Sequence, residues 1–304
     1  MTSGRARGLR SRAATGLSLV FLAALLWGAI GLITPGILAQ GVSPMEIAFW
    51  RALLGGLFFV IHAVASGRMG LQRQGDARRF LLFSLLGVST FFASLVLAID
   101  AGGTTLAFIL LYSAPIWVLF GAWLLLGESL GRRKLGLALL AVLGIVLVSG
   151  AGGDGVNITP AAIAWGLLAG LSYSSYYIFG KAVLERYRPV TIYAWILPLG
   201  ALPLLPLVTF APKSATAWLL ILLLAFMSTY LAYLLYYSGL AQVEASRAVL
   251  VATIEPVVAA LLAAAFLGER LTAIGVLGAI LVLAASTLAS VPRRGAVDDP
   301  GTGR

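Results

Sequence analysis

The chain has 304 residues, 61% of them hydrophobic and only 11% charged, with a net charge of +10 at pH 7 and a mean hydropathy of +1.01. A soluble domain carries about 25% charged residues, so this composition excludes a water-soluble fold and assigns the chain to a lipid bilayer. The absence of cysteine excludes disulfides and thiolate metal sites, and the single histidine, His62, argues against a histidine-based metal centre.

A helix needs about 20 apolar residues to cross the hydrocarbon core. In chain order the sequence predicts ten such spans, at roughly 16–38, 44–66, 79–99, 104–126, 133–150, 160–182, 189–210, 215–238, 243–267 and 271–290. The first follows Arg5, Arg7, Arg10 and Arg12 and so imitates a signal peptide. Its apolar run from Gly16 to Leu38 is too long for an h-region and lacks a convincing cleavage site, so a retained first helix is expected. The connecting loops are short, which makes neighbouring spans antiparallel and leaves no room for a soluble domain.

Lys and Arg set the orientation, because they collect in cytoplasmic loops. With the N-terminus in the cytoplasm, 18 of the 21 basic residues fall on the cytoplasmic side. Lys213 and Arg270 then lie outside, and Arg51 lies within span 2. This bias accounts for the basic charge with no nucleic-acid partner, and both termini are expected in the cytoplasm.

The chain also repeats itself. Pro115, Gly127, Glu128 and Leu130 are answered 141 residues later by Pro256, Gly268, Glu269 and Leu271, and Trp27-Gly28 is answered by Trp165-Gly166. A hydrophobic chain with one internal repeat reads as a transporter built from two structural repeats. Five spans per repeat is an odd number, so the second repeat enters the membrane from the opposite face. The predicted fold is therefore an all-α integral membrane protein of ten transmembrane helices, arranged as two inverted five-helix repeats. A cytoplasmic N-terminus (1–15), a first repeat (16–150), an inverted second repeat (160–290) and a cytoplasmic tail (291–304) make up the chain.

These residues resemble the drug/metabolite transporter superfamily, EamA-type branch. The resemblance rests on Trp27-Gly28, Pro44, Arg51, Pro115 and Gly127-Glu128 in the first half. Trp165-Gly166, Lys181, Pro189, Pro256 and Gly268-Glu269 carry it in the second. It covers about residues 16–290 and departs from the pattern where Ile196 stands opposite Arg51. It implies a ten-helix bundle around a central substrate cavity, with spans 5 and 10 at the periphery as scaffold or dimer surface. Members of the family export amino acids, metabolites or toxic organic cations, and some carry nucleotide sugars. Within the family the chain looks closest to bacterial amino-acid exporters, including the aromatic amino-acid branch, which implies a bacterial inner membrane.

Polar groups at membrane depth are costly unless they face protein or a water-filled cavity. The candidate substrate-binding residues are therefore Trp27, Ser89, Tyr112, Ser113, Tyr173, Tyr177, Ser228, Tyr230 and Glu255. Pro115 and Pro256 are the expected helix breaks. Glu255 is the foremost of these: it lies mid-span beside Pro256, which gives up a hydrogen bond and crowds the carbonyl of Ala252. It either binds a substrate ammonium or a proton, or is a neutral acid hydrogen-bonded to a neighbouring helix. Arg51 is a second-tier candidate that either attracts a carboxylate or snorkels to the outer headgroups. The other tyrosines of spans 6 and 8 are expected in an interfacial aromatic belt. His62 reads as an interfacial polar residue rather than a proton relay. Ala259, Ala260, Ala263 and Ala264 form small-xxx-small pairs suited to packing span 9 on span 4.

The leading function is a secondary transporter or facilitator that exports amino acids or related small amphipathic metabolites by alternating access. Drug or other metabolite efflux, or a passive channel, is the alternative. No G-x-x-x-x-G-K-[ST] motif is present, so the chain itself is not expected to hydrolyse ATP. With no H-E-x-x-H, no second His and one deep carboxylate, an intramembrane enzyme is disfavoured. No cofactor or metal is expected. The expected partners are a small-molecule substrate and the bilayer, with a homodimer left open.

Overall fold

The computed structural model describes residues 2–150, 157–268 and 272–291. Every regular element among them is helical. The first half contains α1 (Thr2–Gly28), α2 (Ile30–Leu38), α3 (Pro44–Ala65), α4 (Gln74–Phe83), α5 (Thr90–Leu111), α6 (Ala114–Leu126) and α7 (Arg132–Gly150). The second contains α8 (Pro160–Val183), α9 (Pro189–Ala201), α10 (Ala215–Leu224), α11 (Ala232–Leu240), α12 (Ala245–Ala252), α13 (Glu255–Phe266) and α14 (Ala273–Ser290). A 3-10 turn, Leu202–Leu207, extends α9. Single π-helical segments, Ser84–Ser89 and Ala225–Leu231, join α4 to α5 and α10 to α11.

Among the described residues, seven helical stretches are long and apolar enough to cross a membrane, including Pro44–Ala65 and Ala245–Phe266. The chain is thus a multi-pass membrane protein. The expected boundary between spans 3 and 4 falls inside the continuous stretch Gly75–Leu111. There Gly103, at φ +83° and ψ +162°, breaks α5. Glycine alone adopts this backbone without strain, because it has no Cβ.

Helix starts are specified locally. Ser43, Thr159, Ser214 and Thr272 cap α3, α8, α10 and α14, each side chain accepting the backbone N–H three residues on. Proline follows the cap of α3 and of α8, where its missing N–H costs nothing. Inside a bilayer such caps matter more, because lipid offers no substitute partner.

The two halves pack as counterparts. α1 runs along α11 as α8 runs along α5, α3 faces α9, α7 faces α14, and α6 meets α12. Each repeat's first helix also approaches the other repeat's broken helix closely, on opposite sides of the break. A Cβ on Gly28 would come within 2.6 Å of Val258 on α13, and one on Gly166 within 2.6 Å of Leu110 on α5. The packing of α13 corrects one expectation. The helix carrying Ala259, Ala260, Ala263 and Ala264 lies mainly on α1, α2 and α7, while α12 is the half that meets α6. The break at Thr253-Ile254 redirects the chain, so α12 packs along α6, while α13 meets the first repeat's broken helix only near the break, at Tyr112 and Phe108.

Burial is not symmetric. Seven of the eight residues of α12 are buried. Of the equivalent residues 104–111, only Leu106, Ala107 and Leu111 are. Beyond the breaks the order reverses: Ala114, Pro115, Val118, Leu119 and Ala122 of α6 are buried, against Pro256 and Val257 of α13. The start of α12 and the end of α6 therefore form a tight seam, and the opposite halves do not.

Candidate functional site

The site forms where two broken helices meet. Tyr112 and Ser113 separate α5 from α6, and Thr253 and Ile254 separate α12 from α13. The breaks are offset by 141 residues, as the sequence motif is. Pro115 and Pro256 sit in the first turn of the restarting helices. Each therefore begins a half-helix, where it is tolerated, instead of bending a continuous one. A hydroxyl satisfies a freed carbonyl at each break. Ser113 Oγ donates to Leu110 O at 2.7 Å, and Thr253 Oγ1 donates to Leu250 O at 2.6 Å.

Between the breaks lies a closed junction with no room for a water molecule. Tyr112, Ala114 and Pro115 line it from one repeat, Val249, Ala252 and Thr253 from the other, and Tyr173 and Tyr177 from α8. Tyr177 donates its hydroxyl to that of Tyr173 at 3.2 Å. Glu255 opens α13, with its carboxylate beside the Tyr112 hydroxyl and within electrostatic reach of Arg51 on α3. The Arg51 guanidinium lies over the Phe92 ring, 5.6 Å from its centroid. It faces Tyr176 and Tyr233, and its Nε is buried without a hydrogen-bond partner.

A second paired feature supports the breaks. A π-helical turn widens the helix and leaves carbonyls that its own backbone does not satisfy. In Ser84–Ser89 the exposed carbonyls of Leu86 and Gly87 accept from Ser172 Oγ at 2.8 and 2.9 Å. In Ala225–Leu231 the carbonyl of Ser228 accepts from Trp27 Nε1 at 2.9 Å. Gly87 and Ser228 are again 141 residues apart. Each bulge is thus held by the first helix of the opposite repeat, α8 in one case and α1 in the other.

The sequence candidates separate into two groups. Tyr112, Tyr173, Tyr177, Glu255, Pro115 and Pro256 come together at the breaks, with Trp27 behind them against Tyr233 and Tyr236. Ser89, Ser113 and Ser228 use their hydroxyls on backbone carbonyls. Tyr230 points elsewhere, with its hydroxyl 2.9 Å from His62 Nδ1 and its ring against Phe58 and Phe59. The expected aromatic belt is corrected: Tyr176, Tyr233, Tyr236 and Tyr237 are 0–3% exposed and form the interior of the bundle. Tyr176 and Tyr233 stack with centroids 5.9 Å apart, and Tyr233 packs on Tyr193 at 4.7 Å. In an apolar helix no polar face marks the side turned inward, so only tertiary packing distinguishes a belt from a core.

Ionic clusters support the site from outside the breaks, and two of them involve Glu128 and Glu46. The carboxylate of Glu128 caps α12, accepting from Ala245 N at 2.6 Å, from Ser246 N at 3.1 Å, and from the Ser246 hydroxyl. Lys134 joins Glu128 at 3.8 Å and Glu244 at 3.1 Å. Beside it Lys181 Nζ donates to the carbonyls of Leu240 and Val243. In the second cluster Glu46, fully buried, pairs with Lys213 and accepts from Ala211 N at 3.1 Å. Trp50, Phe210 and Trp218 surround the Lys213 ammonium at 5.2–5.7 Å. Glu46 carries no repeat or break signal and is legible only in the fold. Glu269, the echo of Glu128, lies outside the described residues. Among the described residues no cluster of His, Asp and Glu could hold a metal ion.

A model of the EamA-like transporter family matches residues 14–150 and again 160–291. Similar proteins include an uncharacterized inner membrane transporter, YicL, of Salmonella typhimurium. It is 27% identical over 92% of this chain and 96% of its own. An uncharacterized transporter of Archaeoglobus fulgidus is 28% identical over 90% of this chain and 96% of its own. YwfM of Bacillus subtilis, also an uncharacterized transporter, is 26% identical over 90% and 94%. One solved crystal structure, 19% identical, matches with a TM-score of 0.78 over 91% of this chain and 96% of that one, a likeness of fold alone.

Proposed function

We propose a function from one premise: this chain belongs to the EamA-like transporter family, whose model matches both of its halves. The chain is accordingly a membrane transporter. The finer reading is a carrier for amino acids or related small amphipathic metabolites, working by alternating access in a bacterial inner membrane. It acts without enzymatic chemistry of its own. The compartment is supported by the name of the Salmonella relative, an inner membrane transporter. The observation that carries the reading is the meeting of two half-helix breaks, one per repeat, around Tyr112, Tyr173, Tyr177 and Glu255. Discontinuous helices in corresponding positions are where transporters place substrate.

Ten crossings in two inverted repeats fit this site. A continuous helix over the 37 residues Gly75–Leu111 would be about 55 Å long, nearly twice the hydrocarbon thickness. Turning at Gly103 divides it into two crossings. The charge bias then puts both termini, and the Glu128 cluster with Lys134 and Lys181, in the cytoplasm. On this assignment the tight seam of α12 and α6 closes the cytoplasmic face. The looser halves, residues 104–111 and α13, open toward the outside. Exchange of the two repeats' conformations would carry substrate from one face to the other.

Proteoliposomes of the purified protein test the reading. Labelled L-amino acids should enter by saturable counterflow, accelerated by the same unlabelled compound inside. Flux linear in concentration and without counterflow would instead identify a channel. No flux of any amino acid would remove this substrate class.

A further inference from the structure

Arg51 and its surroundings do not behave as a structural ion pair. Its Nε is buried with no partner, and the hydroxyl of Tyr176, which faces the same guanidinium, is also buried without one. Buried polar groups are normally satisfied, and two such groups at one cation call for an explanation. Glu255 is the carboxylate in electrostatic reach of Arg51, yet among the described residues no hydrogen bond or salt bridge joins the two. Glu255 turns instead to the Tyr112 hydroxyl at the break. The result is a positive pole with a free donor, near Tyr176 and Tyr233, and a negative pole at a helix break, near Tyr177.

We infer that Arg51 and Glu255 are the two poles of a dipolar binding site that selects zwitterions. The α-carboxylate of the substrate lies on Arg51 and Tyr176, and its ammonium lies on Glu255. The inference rests on the carrier reading above and deepens it, since it names what the carried molecule must present. A fork of guanidinium donors suits a carboxylate, and adding the Tyr176 hydroxyl gives the anion a third donor. The tyrosine faces and Trp27 supply an apolar wall for a side chain. The selection works by exclusion as well as attraction. A bare cation satisfies Glu255 and leaves Arg51 buried, unpaired and repelling it. A bare anion does the reverse. Only a molecule carrying both charges neutralises both poles.

Isothermal titration of the purified protein in detergent tests this with ligand triads. L-phenylalanine, L-leucine and L-alanine are each compared with the amine that lacks the carboxylate and the acid that lacks the amine. At least one amino acid should bind about tenfold or more tightly than both of its one-charge analogues, the worth of one charged hydrogen bond. Arg51→Gln should lower binding of that amino acid and its acid analogue about tenfold and leave the amine unchanged or improved. Glu255→Gln should spare the acid and weaken the other two. The wild-type triads decide the matter even if a variant fails to fold. An amine that binds as tightly as its parent amino acid, or Arg51→Gln with unchanged amino-acid binding, would overturn the dipolar site and leave a carrier of amines standing. Binding of none of the nine compounds would overturn the amino-acid reading and this inference together.

Discussion

The two broken helices of this protein share a design and differ in state. Both stop at a polar residue, restart on a proline, and satisfy one freed carbonyl with a hydroxyl. Yet α12 is buried along nearly its whole length, while its counterpart, residues 104–111, is buried at three positions. Past the breaks the imbalance inverts. On the alternating-access reading proposed above, each repeat shows the conformation that the other would adopt next.

Removing the charge that only one repeat carries breaks the comparison most severely. Ala114 stands where the second half has Glu255. Glu255→Gln should cut transport at least tenfold while the protein still elutes as a folded species on size exclusion. This corresponds to loss of a charged hydrogen bond of about 1.5–3 kcal/mol. Near-normal counterflow by that variant would reduce Glu255 to a packing residue.

The next largest effect should come from the seam. Glu128→Ala deletes a carboxylate that accepts from two backbone N–H groups at the start of α12. Unsatisfied buried donors cost about 1–3 kcal/mol each. The variant should therefore melt earlier and expose the start of α12 to thiol reagents in a suitable cysteine variant. The chain has no native cysteine to confuse that labelling. An unchanged melting point and an unreactive probe would mean that the seam holds without its cap.

Smaller changes test the contacts of each repeat's first helix with the other repeat. Gly28→Ala and Gly166→Ala each place a Cβ 2.6 Å from a neighbouring side-chain carbon. Overpacking of this kind costs about 1–3 kcal/mol. A loss in thermal stability is expected for each variant, and an unchanged melting temperature would mean that the neighbour gives way. Smallest of all, Trp27→Phe releases one carbonyl of a π-helical segment and Ser172→Ala releases two that share one hydroxyl. Each should cost about 1 kcal/mol, read as a drop of a few degrees in melting temperature.

Much of this architecture was legible in the sequence because it rests on residues with strong local consequences. Pro115 and Pro256 mark the breaks. Gly127 and Gly268 end their helices at φ +69° and +73°. The spacing of 141 that relates these residues also relates the π-helical segments. Those segments themselves were not readable. Ser84–Ser89 and Ala225–Leu231 contain ordinary helix-compatible residues, and a π turn needs no proline and no special glycine. The tyrosines misled for a related reason. Tyrosine favours interfaces on average, but Tyr176 and Tyr237 are placed by which helix face meets the bundle, and an all-apolar helix does not advertise that face. Arg51 was legible as an anomaly, and its orphaned Nε and the Tyr176 hydroxyl beside it only through the fold. Tyr230 reads as a central wall by depth, and its bond to His62 depends on how the Ala225–Leu231 segment packs on α3.

The most direct test of the two-state account uses equivalent positions in the two broken helices. Phe108 and Val249 are 141 residues apart, the first partly exposed and the second buried. Phe108→Cys and Val249→Cys are labelled with a charged maleimide in membranes, at rest and during exchange of a transported amino acid. The account predicts fast labelling at 108 and slow labelling at 249 in the resting protein, with turnover slowing the first and speeding the second. Rates at both positions that do not change with turnover would contradict an exchange of conformations between the repeats.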